Sequence, residues 1–191
     1  MAEVKEDRRV KYTKRVLKES FIKLLGEKDI TRITIKEICD DADINRATFY
    51  AHYSDQYDLM RKIEDELFEN ISSYLSEGTI FDGEVRTIDM VEQIFEYIKE
   101  NAQLCKLLLS ERGDLDFQKK IMMLVYNKDM DEKVSRGIIT REDAEYIHSF
   151  IITGCVGVVQ KWLYDDMNKS ARSLSELLVK LAVRLTEKIE K

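Results

Sequence analysis

The absence of proline is the feature that most constrains this chain: its 191 residues include no proline and only seven glycines. Proline interrupts helices and glycine supplies special turn conformations, so the main helix breakers and turn-formers are missing. A β-sandwich or barrel needs turn residues at short intervals, and a flexible multidomain array needs proline-rich or Gly/Ser linkers. With 44% hydrophobic residues the chain can still bury a core. The sequence therefore predicts an all-α fold.

The acidic balance of the chain is unevenly distributed. The net charge is −6, yet residues 1–60 hold 12 basic and 12 acidic side chains and are neutral. Within them, the segment Arg8–Lys23 (the basic block) contains seven basic residues and one acid, Glu19. Two interpretations stay open for the basic block, a solvated helix face and a surface that faces nucleic-acid phosphates.

Motifs for catalysis or metal binding are missing from the sequence. The cysteines Cys39, Cys105 and Cys155 are far apart and form no CxxC pair, which argues against a disulfide framework and a zinc site. The histidines His52 and His148 lie far apart, and no hydrolase, P-loop or dinucleotide-binding motif occurs. We therefore expect no enzyme activity, no metal and no cofactor.

The sequence gives no sign of a membrane or secreted protein. Its longest apolar stretch, residues 150–159, is well short of a membrane span. The first residues are charged and lack the apolar core of a secretory signal. We expect a soluble cytoplasmic protein with no membrane partner.

Two short helices and a tight turn are predicted over residues 34–53. Thr34 and Glu37 form a T-x-x-E capping box, which marks the start of the first helix. The segment Asp43–Asn45 is typical of a tight turn, and a second helix is predicted from Arg46 to about Tyr53. Two short helices joined in this way outline a helix-turn-helix.

The helical pattern continues to the end of the chain with one glycine-bearing joint. Ser54 and Asp55 can cap a helix that reaches about Leu75. The joint at Ser76–Glu84 predicts a domain boundary, with one domain over residues 1–75 and a second over residues 76–191. Further helices are predicted over 88–100, 102–109, 117–134 and 140–164, and a final one opens at a second capping box, Ser173-x-x-Glu176.

The segment Thr34–Met60 resembles the DNA-binding domain of TetR-family transcriptional regulators. The most specific part is the Thr-Phe-Tyr-x-His-aromatic run of Thr48–Tyr53, followed at the family's distance by Asp55 and Leu59. The resemblance covers about residues 8–75. It implies an N-terminal three-helix domain that contains the helix-turn-helix, followed by a helical ligand-binding and dimerisation domain. It also implies a homodimer, joined through its last two helices, that binds a pseudo-palindromic operator in double-stranded DNA.

The C-terminal half resembles one subgroup of the same family, which includes dihydroxyacetone-kinase regulators. The stretches that carry this likeness are Leu107–Phe117 and Phe150–Leu163, the latter followed by a Met-x-x-Ser pattern. Within the second stretch, Gly154 and Gly157 interrupt a strong helical pattern. Since glycine weakens a helix, we expect it to serve close packing here, within the subunit or across the dimer; a ligand pocket is the second explanation.

The resemblance places three residues at the base-reading end of the second short helix. Because a recognition helix enters the major groove by its N-terminal end, Arg46 and Ala47 would lie closest to the bases. Arg46 would form two hydrogen bonds with guanine or contact a phosphate, and Ala47 would meet a thymine methyl group or be neutral. Asn45 is either a helix cap or a DNA contact.

Five further residues match positions that hold the DNA backbone in the family. Thr48, Tyr50 and His52 would contact phosphates, which sets the register of the protein on DNA without specifying sequence. Thr34 and Lys36, at the start of the first short helix, would meet a phosphate and a base edge or phosphate. Capping alone also accounts for Thr34, and the two roles are compatible.

The sequence departs from the family at two positions. Asp43 stands where many relatives have a glycine in the turn, and aspartate tolerates a left-handed backbone better than most residues. Gln56 stands where relatives often have a lysine that meets a phosphate, and the basic block would compensate for that lost charge.

The function that the resemblance implies is sequence-specific regulation of transcription. The usual mode of the family is repression that a small-molecule effector releases. The alternative is a DNA-binding co-activator under the control of a protein partner.

Overall fold

The computed structural model describes residues 8–77, 84–110, 117, 118, 120 and 133–187, and every regular element within them is helical. The predicted all-α class is confirmed. The elements are α1 (Arg8–Glu27), a 3₁₀ turn (Ile30–Arg32), α2 (Ile35–Ala42), α3 (Arg46–Tyr50), α4 (Gln56–Glu77), α5 (Glu84–Glu100), α6 (Ala102–Leu108), α7 (Arg141–Tyr164) and α8 (Ala171–Glu187).

The chain divides into two compact units, Met1–Leu67 and Phe68–Lys191. The predicted joint at Ser76–Glu84 lies partly outside the described residues, which omit 78–83, so the boundary there stays a prediction. The helix predicted over 117–134 also falls largely outside the described residues.

The first unit is built on an apolar core shared by its helices. The α1 side chains Leu17 and Phe21 are four residues apart, so they lie on one face of the helix, and both are fully buried. Ile38 of α2, Phe49 of α3 and Leu59 of α4 are equally buried. Burying side chains of this size stabilises the unit by roughly 1.5–3 kcal/mol each. This core fixes the two short helices in place.

The ends of α3 and α4 refine the predicted boundaries. The second short helix stops at Tyr50, three residues before the predicted end. The carbonyl of Phe49 accepts from the amides of both His52 and Tyr53, each at 2.9 Å, so the chain leaves the helix through a tighter turn. The predicted cap of α4 is confirmed, since the Asp58 amide donates to Asp55 Oδ1 at 2.7 Å.

In the second unit, α5 packs along α8 and an arginine joins the two helices. Arg172 of α8 forms an ion pair with Asp89 and a second one, at 2.8 Å, with Glu92 on α5. These two carboxylates raise the pKa of the guanidinium further. The rings of Phe95 and Trp162 meet edge to face, 5.2 Å apart, which links α5 to α7.

The starts of the last two helices test the predicted capping boxes. Thr140 caps α7 as predicted, because its Oγ1 accepts from the Asp143 amide at 3.0 Å. The box predicted at Ser173 is wrong, since α8 already begins at Ala171. Ser170 takes the capping role, and its Oγ accepts from the Ser173 amide at 3.2 Å.

Candidate nucleic-acid interface

The start of α2 is fixed by the predicted capping box. The Glu37 amide donates to Thr34 Oγ1 at 3.3 Å, and Glu37 Oε2 accepts from the Thr34 amide at 2.9 Å and from its hydroxyl at 2.8 Å. Lys28 adds an ion pair to the same carboxylate at 2.6 Å. Together, Lys28 first and the Thr34 donors next, they lower the pKa of Glu37 to about 2. The hydroxyl proton of Thr34 is thus committed to Glu37, while Lys36 is exposed.

The turn between α2 and α3 has the left-handed residue that the sequence predicts. Asp43 adopts φ 52° and ψ 43°, and its amide donates to the Cys39 carbonyl. The Ile44 amide donates to the same carbonyl at 2.9 Å. Asp43 therefore adopts the left-handed conformation that this turn requires, and the expectation for Asp43 is confirmed.

The recognition helix α3 presents polar residues on one side and anchors itself on the other. Asn45 caps it, with Oδ1 accepting from the Ala47 amide at 2.8 Å. The cap uses the carbonyl oxygen of the side chain, so the amide nitrogen remains a donor that can turn to a partner. Arg46 and Ala47 are exposed, Thr48 is half-buried and Phe49 is fully buried. The base-reading candidates therefore stand at the accessible end of the helix.

Tyr50 and His52 lie towards the C-terminal end of residues 45–53 (the recognition segment). Tyr50 is 57% exposed, which is high for an aromatic side chain, and its ring meets the edge of Phe49 at 5.7 Å. His52 is half-buried, with its ring 6.2 Å from that of Tyr53. The core residues Phe49 and Tyr53 thus hold the two candidates for phosphate contact, which leaves the Tyr50 hydroxyl accessible.

The basic block lies along α1, and its charges are used in two ways. Three ion pairs join its C-terminal part to acids of the same unit: Arg15 to Glu19 at 2.9 Å, Lys18 to Glu66 at 3.0 Å, and Lys23 to Asp41 at 2.5 Å. The side chains towards the N-terminal end of the block are exposed: Arg8, Arg9, Lys11 and Lys14. These four side chains give the first turns of α1 an exposed cationic surface.

The sequence does not predict the contact that Lys62 makes with the residues after α3. Lys62 of α4 donates to the His52 carbonyl at 2.8 Å, although ten residues separate them. Asp58 and Lys62 are spaced as a helical ion pair, which the sequence does signal. Their contact with residues 52–54 depends on how α4 packs, and local patterns carry no information about that.

Two other kinds of site are absent from the described part of the chain. It contains no cluster of His, Cys, Asp and Glu side chains suited to a metal ion. None of its helices has the length and apolar character needed to cross a membrane. All eight candidate DNA-binding residues belong to the first unit, on α2, α3 and the residues that flank them. Their roles on DNA stay predictions.

Comparison with known proteins relates part of the chain to a bacterial regulator. Over 71 residues, 37% of this chain, the sequence is 37% identical to the uncharacterized HTH-type transcriptional regulator YxbF of Bacillus subtilis. The match spans only 19% of that relative.

Solved structures share the fold over nearly the whole chain. A TetR transcriptional regulator from Streptococcus agalactiae aligns with a TM-score of 0.62 and 21% identity over 93% of this chain and 97% of its own. The dihydroxyacetone kinase operon activator DhaS aligns at 0.60 and 15% identity, over 94% and 98% of the two chains. FadR from Bacillus subtilis, solved in complex with stearoyl-CoA, aligns at 0.64 and 15% identity, over 88% and 97%.

The second half of the chain matches a family model. Residues 86–184, more than half of the chain, match the model of the TetR-type transcriptional regulator C-terminal region. The helix-turn-helix in the first unit and this match in the second agree with each other. The protein is a regulator rather than an enzyme, and the chain belongs to the TetR family of transcriptional regulators.

Proposed function

We propose that this regulator binds a pseudo-palindromic operator as a homodimer in the cytoplasm, through residues 1–75, and represses transcription until a small molecule binds residues 76–191. The DNA-binding part of the proposal rests on which side chains of the recognition segment are buried and which are exposed. Its buried Phe49 and Tyr53 anchor a short capped helix, while Arg46, Ala47 and a 57% exposed Tyr50 are accessible. An exposed tyrosine held against a core aromatic suits a fixed contact with a backbone phosphate.

Each candidate residue has a role that fits its environment. Arg46 and Ala47 face the bases, with Asn45 capping the helix and offering its amide to DNA. Thr48, Tyr50 and His52 hold phosphates on one side. On the other, Lys36 and the backbone amides at the start of α2 meet a second phosphate, since Thr34 is engaged with Glu37.

The basic block supplies affinity that depends on salt rather than on sequence. The exposed Arg8, Arg9, Lys11 and Lys14 lie at the N-terminal end of α1. Each phosphate that such a side chain neutralises releases condensed counterions. This term compensates for Gln56, which cannot form the charged contact that a lysine would.

A second copy of the chain is the partner that fits the outer face of α7 and α8. Tyr146, Phe150 and Tyr164 on α7 are 70%, 69% and 62% exposed, and Leu177 and Leu181 on α8 are 45% and 48% exposed. Large apolar side chains that are exposed together on a helix face are typical of an interface. Tyr146 and Phe150 are four residues apart, Tyr164 follows Phe150 by fourteen, and Leu177 and Leu181 are four apart. These spacings place the exposed residues of each helix on one face, which suits packing against helices.

The two glycines of α7 support the same interface. A Cβ atom added at Gly154 or Gly157 would meet no atom of the described residues within 4 Å, so packing against that part of the subunit does not require a glycine. Of the explanations that the sequence left open, close approach across a dimer is the one we propose. Two recognition helices of such a dimer would lie about 34–36 Å apart, or a multiple of that distance, on the operator.

Selection of bound sequences from random duplex DNA tests the proposal. We expect a pseudo-palindrome with half-sites about one helical turn apart, or a multiple. Arg46→Ala should cost about 1–3 kcal/mol and relax the preference at one base position. Tyr50→Ala should weaken binding by a similar factor on every sequence, and Tyr50→Phe, which keeps the ring packed on Phe49, isolates the hydroxyl. If Tyr50→Ala bound the operator as tightly as the parent, the site assignment would be wrong.

The effector part of the proposal has its own test. A relative of this fold was solved with stearoyl-CoA, which motivates a search among small metabolites. A thermal-shift screen should find a compound that stabilises the protein and releases it from the selected duplex. Capture of a cytoplasmic protein that alters DNA binding, with no metabolite doing so, would favour control by a protein partner instead.

A further inference from the structure

An ion pair on α4 holds the residues that leave the recognition helix. Asp58 and Lys62 are one turn apart and pair at 3.2 Å. Lys62 donates to the His52 carbonyl at 2.8 Å, and Asp58 Oδ2 accepts from the Ser54 amide at 3.0 Å. The two charged side chains therefore bind the backbone on either side of Tyr53.

Lys62 also contacts the ring of Tyr53. Its Nζ lies 5.0 Å from the centre of that ring, within the range of a cation–π interaction. The Tyr53 ring packs on Phe49 at 5.5 Å, and Phe49 meets Tyr50 at 5.7 Å. A continuous row of contacts thus runs from the ammonium group of Lys62 to the exposed Tyr50.

The electrostatics of the pair agree with this geometry. The Ser54 amide and, after it, the Lys62 ammonium hold the pKa of Asp58 below its usual range. Hydrogen bonds in which one partner is ionised are stronger than neutral ones. Both members of the pair make such a bond to the backbone, so the pair resists displacement of residues 52–54.

We infer that the Asp58–Lys62 pair is a positioning device that holds Tyr50 and His52 at the spacing needed for phosphate contact. The inference rests on the proposed function, because it assigns these side chains to DNA. Lys62 acts here through the recognition segment and not as a phosphate ligand. No local sequence pattern requires this arrangement, since the lysine reaches its acceptor across ten residues.

The test measures binding of the parent and its variants to the duplex that the parent selects. Lys62→Met keeps an unbranched side chain and helix propensity but removes the donor and the charge. Arg61→Met is the matched control. Arg61 lies on the same turn, carries the same charge and pairs with the same Asp58, at 3.6 Å. Lys62→Arg keeps a donor and a cation for Tyr53, and Lys62→Gln repeats the loss of charge in a second variant.

We expect Lys62→Met and Lys62→Gln to weaken operator binding about tenfold, the worth of one charge-assisted hydrogen bond. Arg61→Met and Lys62→Arg should stay within about threefold of the parent. The dependence of affinity on salt should be the same for Lys62→Met and the parent. A direct phosphate contact would instead lower the slope of log affinity against log salt by about 1, and that result would overturn the inference.

A double-mutant cycle shows whether Lys62 acts through Tyr50. In a Tyr50→Ala background, the loss caused by Lys62→Met should fall from about tenfold to about threefold or less. The reason is that Lys62 acts through the phosphate contact of Tyr50, which this background already lacks. Additive losses, or equal losses for Lys62→Met and Arg61→Met, would overturn the inference alone. A parent that selects no duplex at all would overturn the proposed function and this inference with it. Thermal melting of each variant confirms that it is folded.

Discussion

The helix-turn-helix segment (residues 34–53) and the α7–α8 pair expose opposite kinds of surface. In the segment, three helix ends are capped by nearby residues: Thr34 with Glu37 at the start of α2, Asp43 at its end, and Asn45 at the start of α3. Its core aromatic, Phe49, is fully buried. The segment is complete within its own unit.

The α7–α8 pair, by contrast, leaves large apolar side chains exposed in the protomer. Several of its largest apolar side chains lie in water, among them Tyr146 at 70% and Phe150 at 69% exposure. Gly154 and Gly157 leave further open space on α7. The difference teaches that local sequence sets the helix ends of the segment, whereas the exposed face of the second pair of helices is open to a partner.

The largest expected effect comes from charging the α8 face. Leu177→Glu combined with Leu181→Glu would bury two carboxylates in an apolar interface. A residue that matters in an interface is worth about 2 kcal/mol or more, and both changes occur in each subunit, so the dimer dissociation constant should rise at least about a thousandfold. Sedimentation velocity over a range of concentrations measures the change.

The control for this change is Val85→Glu. Val85 is 66% exposed on α5, outside the α7–α8 face, and should leave the dimer intact. Unchanged self-association in the double variant would contradict the comparison, because the exposed apolar face would then serve another purpose.

The contrast also separates what the sequence predicts from what it does not. A helix cap involves residues only three positions apart, so the sequence predicts the caps at Thr34 and Thr140, and the structure has both. The capping box predicted at Ser173 is wrong because Ser170, three residues earlier, caps the helix with its own hydroxyl. The motif alone does not show which of the two serines is the cap. The contact of Lys62 with the His52 carbonyl is tertiary, since it depends on the packing of α4 against α3.

A smaller effect is expected when the cap of α2 is removed. Thr34→Ala should destabilise the start of α2 by about 1 kcal/mol, since the Glu37 amide loses its acceptor. Hydrogen exchange at the first amides of α2 should speed up about fivefold, while dimerisation stays unchanged. Thr34→Ser, which keeps the hydroxyl, is the control. A change in self-association would show that the two regions are not independent.

The ionisation of Glu37 gives a pH test of the same cap. Its pKa is lowered from 4.5 to about 2, so the folded state binds fewer protons than the unfolded state in this range. The stabilisation is therefore present above about pH 4.5 and is lost as the pH falls towards about 2. In an NMR titration the carboxylate should remain ionised at about pH 3, where ordinary glutamates are protonated.

Lys28→Met is the control for that titration. The Lys28 ammonium is the largest cause of the lowered pKa, so its loss should raise the titration midpoint of Glu37. Glu37→Gln should lose the pH dependence from this residue altogether. An ordinary midpoint for Glu37 in the parent would contradict the closed cap and weaken the claim that the segment is complete in itself.

The smallest effects are expected at the turn. Asp43 has φ 52°, a conformation that costs an ordinary side chain about 1 kcal/mol but that glycine and asparagine adopt readily. Asp43→Gly and Asp43→Asn should therefore change the stability of the first unit by only about 0.5 kcal/mol or less, whereas Asp43→Ala should cost about 1 kcal/mol. Urea unfolding measures the series.

The same two variants make a prediction about DNA binding. Since Asp43→Gly and Asp43→Asn also remove an acid beside the recognition helix, both should tighten operator binding severalfold at low salt, and the gain should vanish at high salt. Tighter binding by Gly alone would locate the effect in the backbone rather than in the charge.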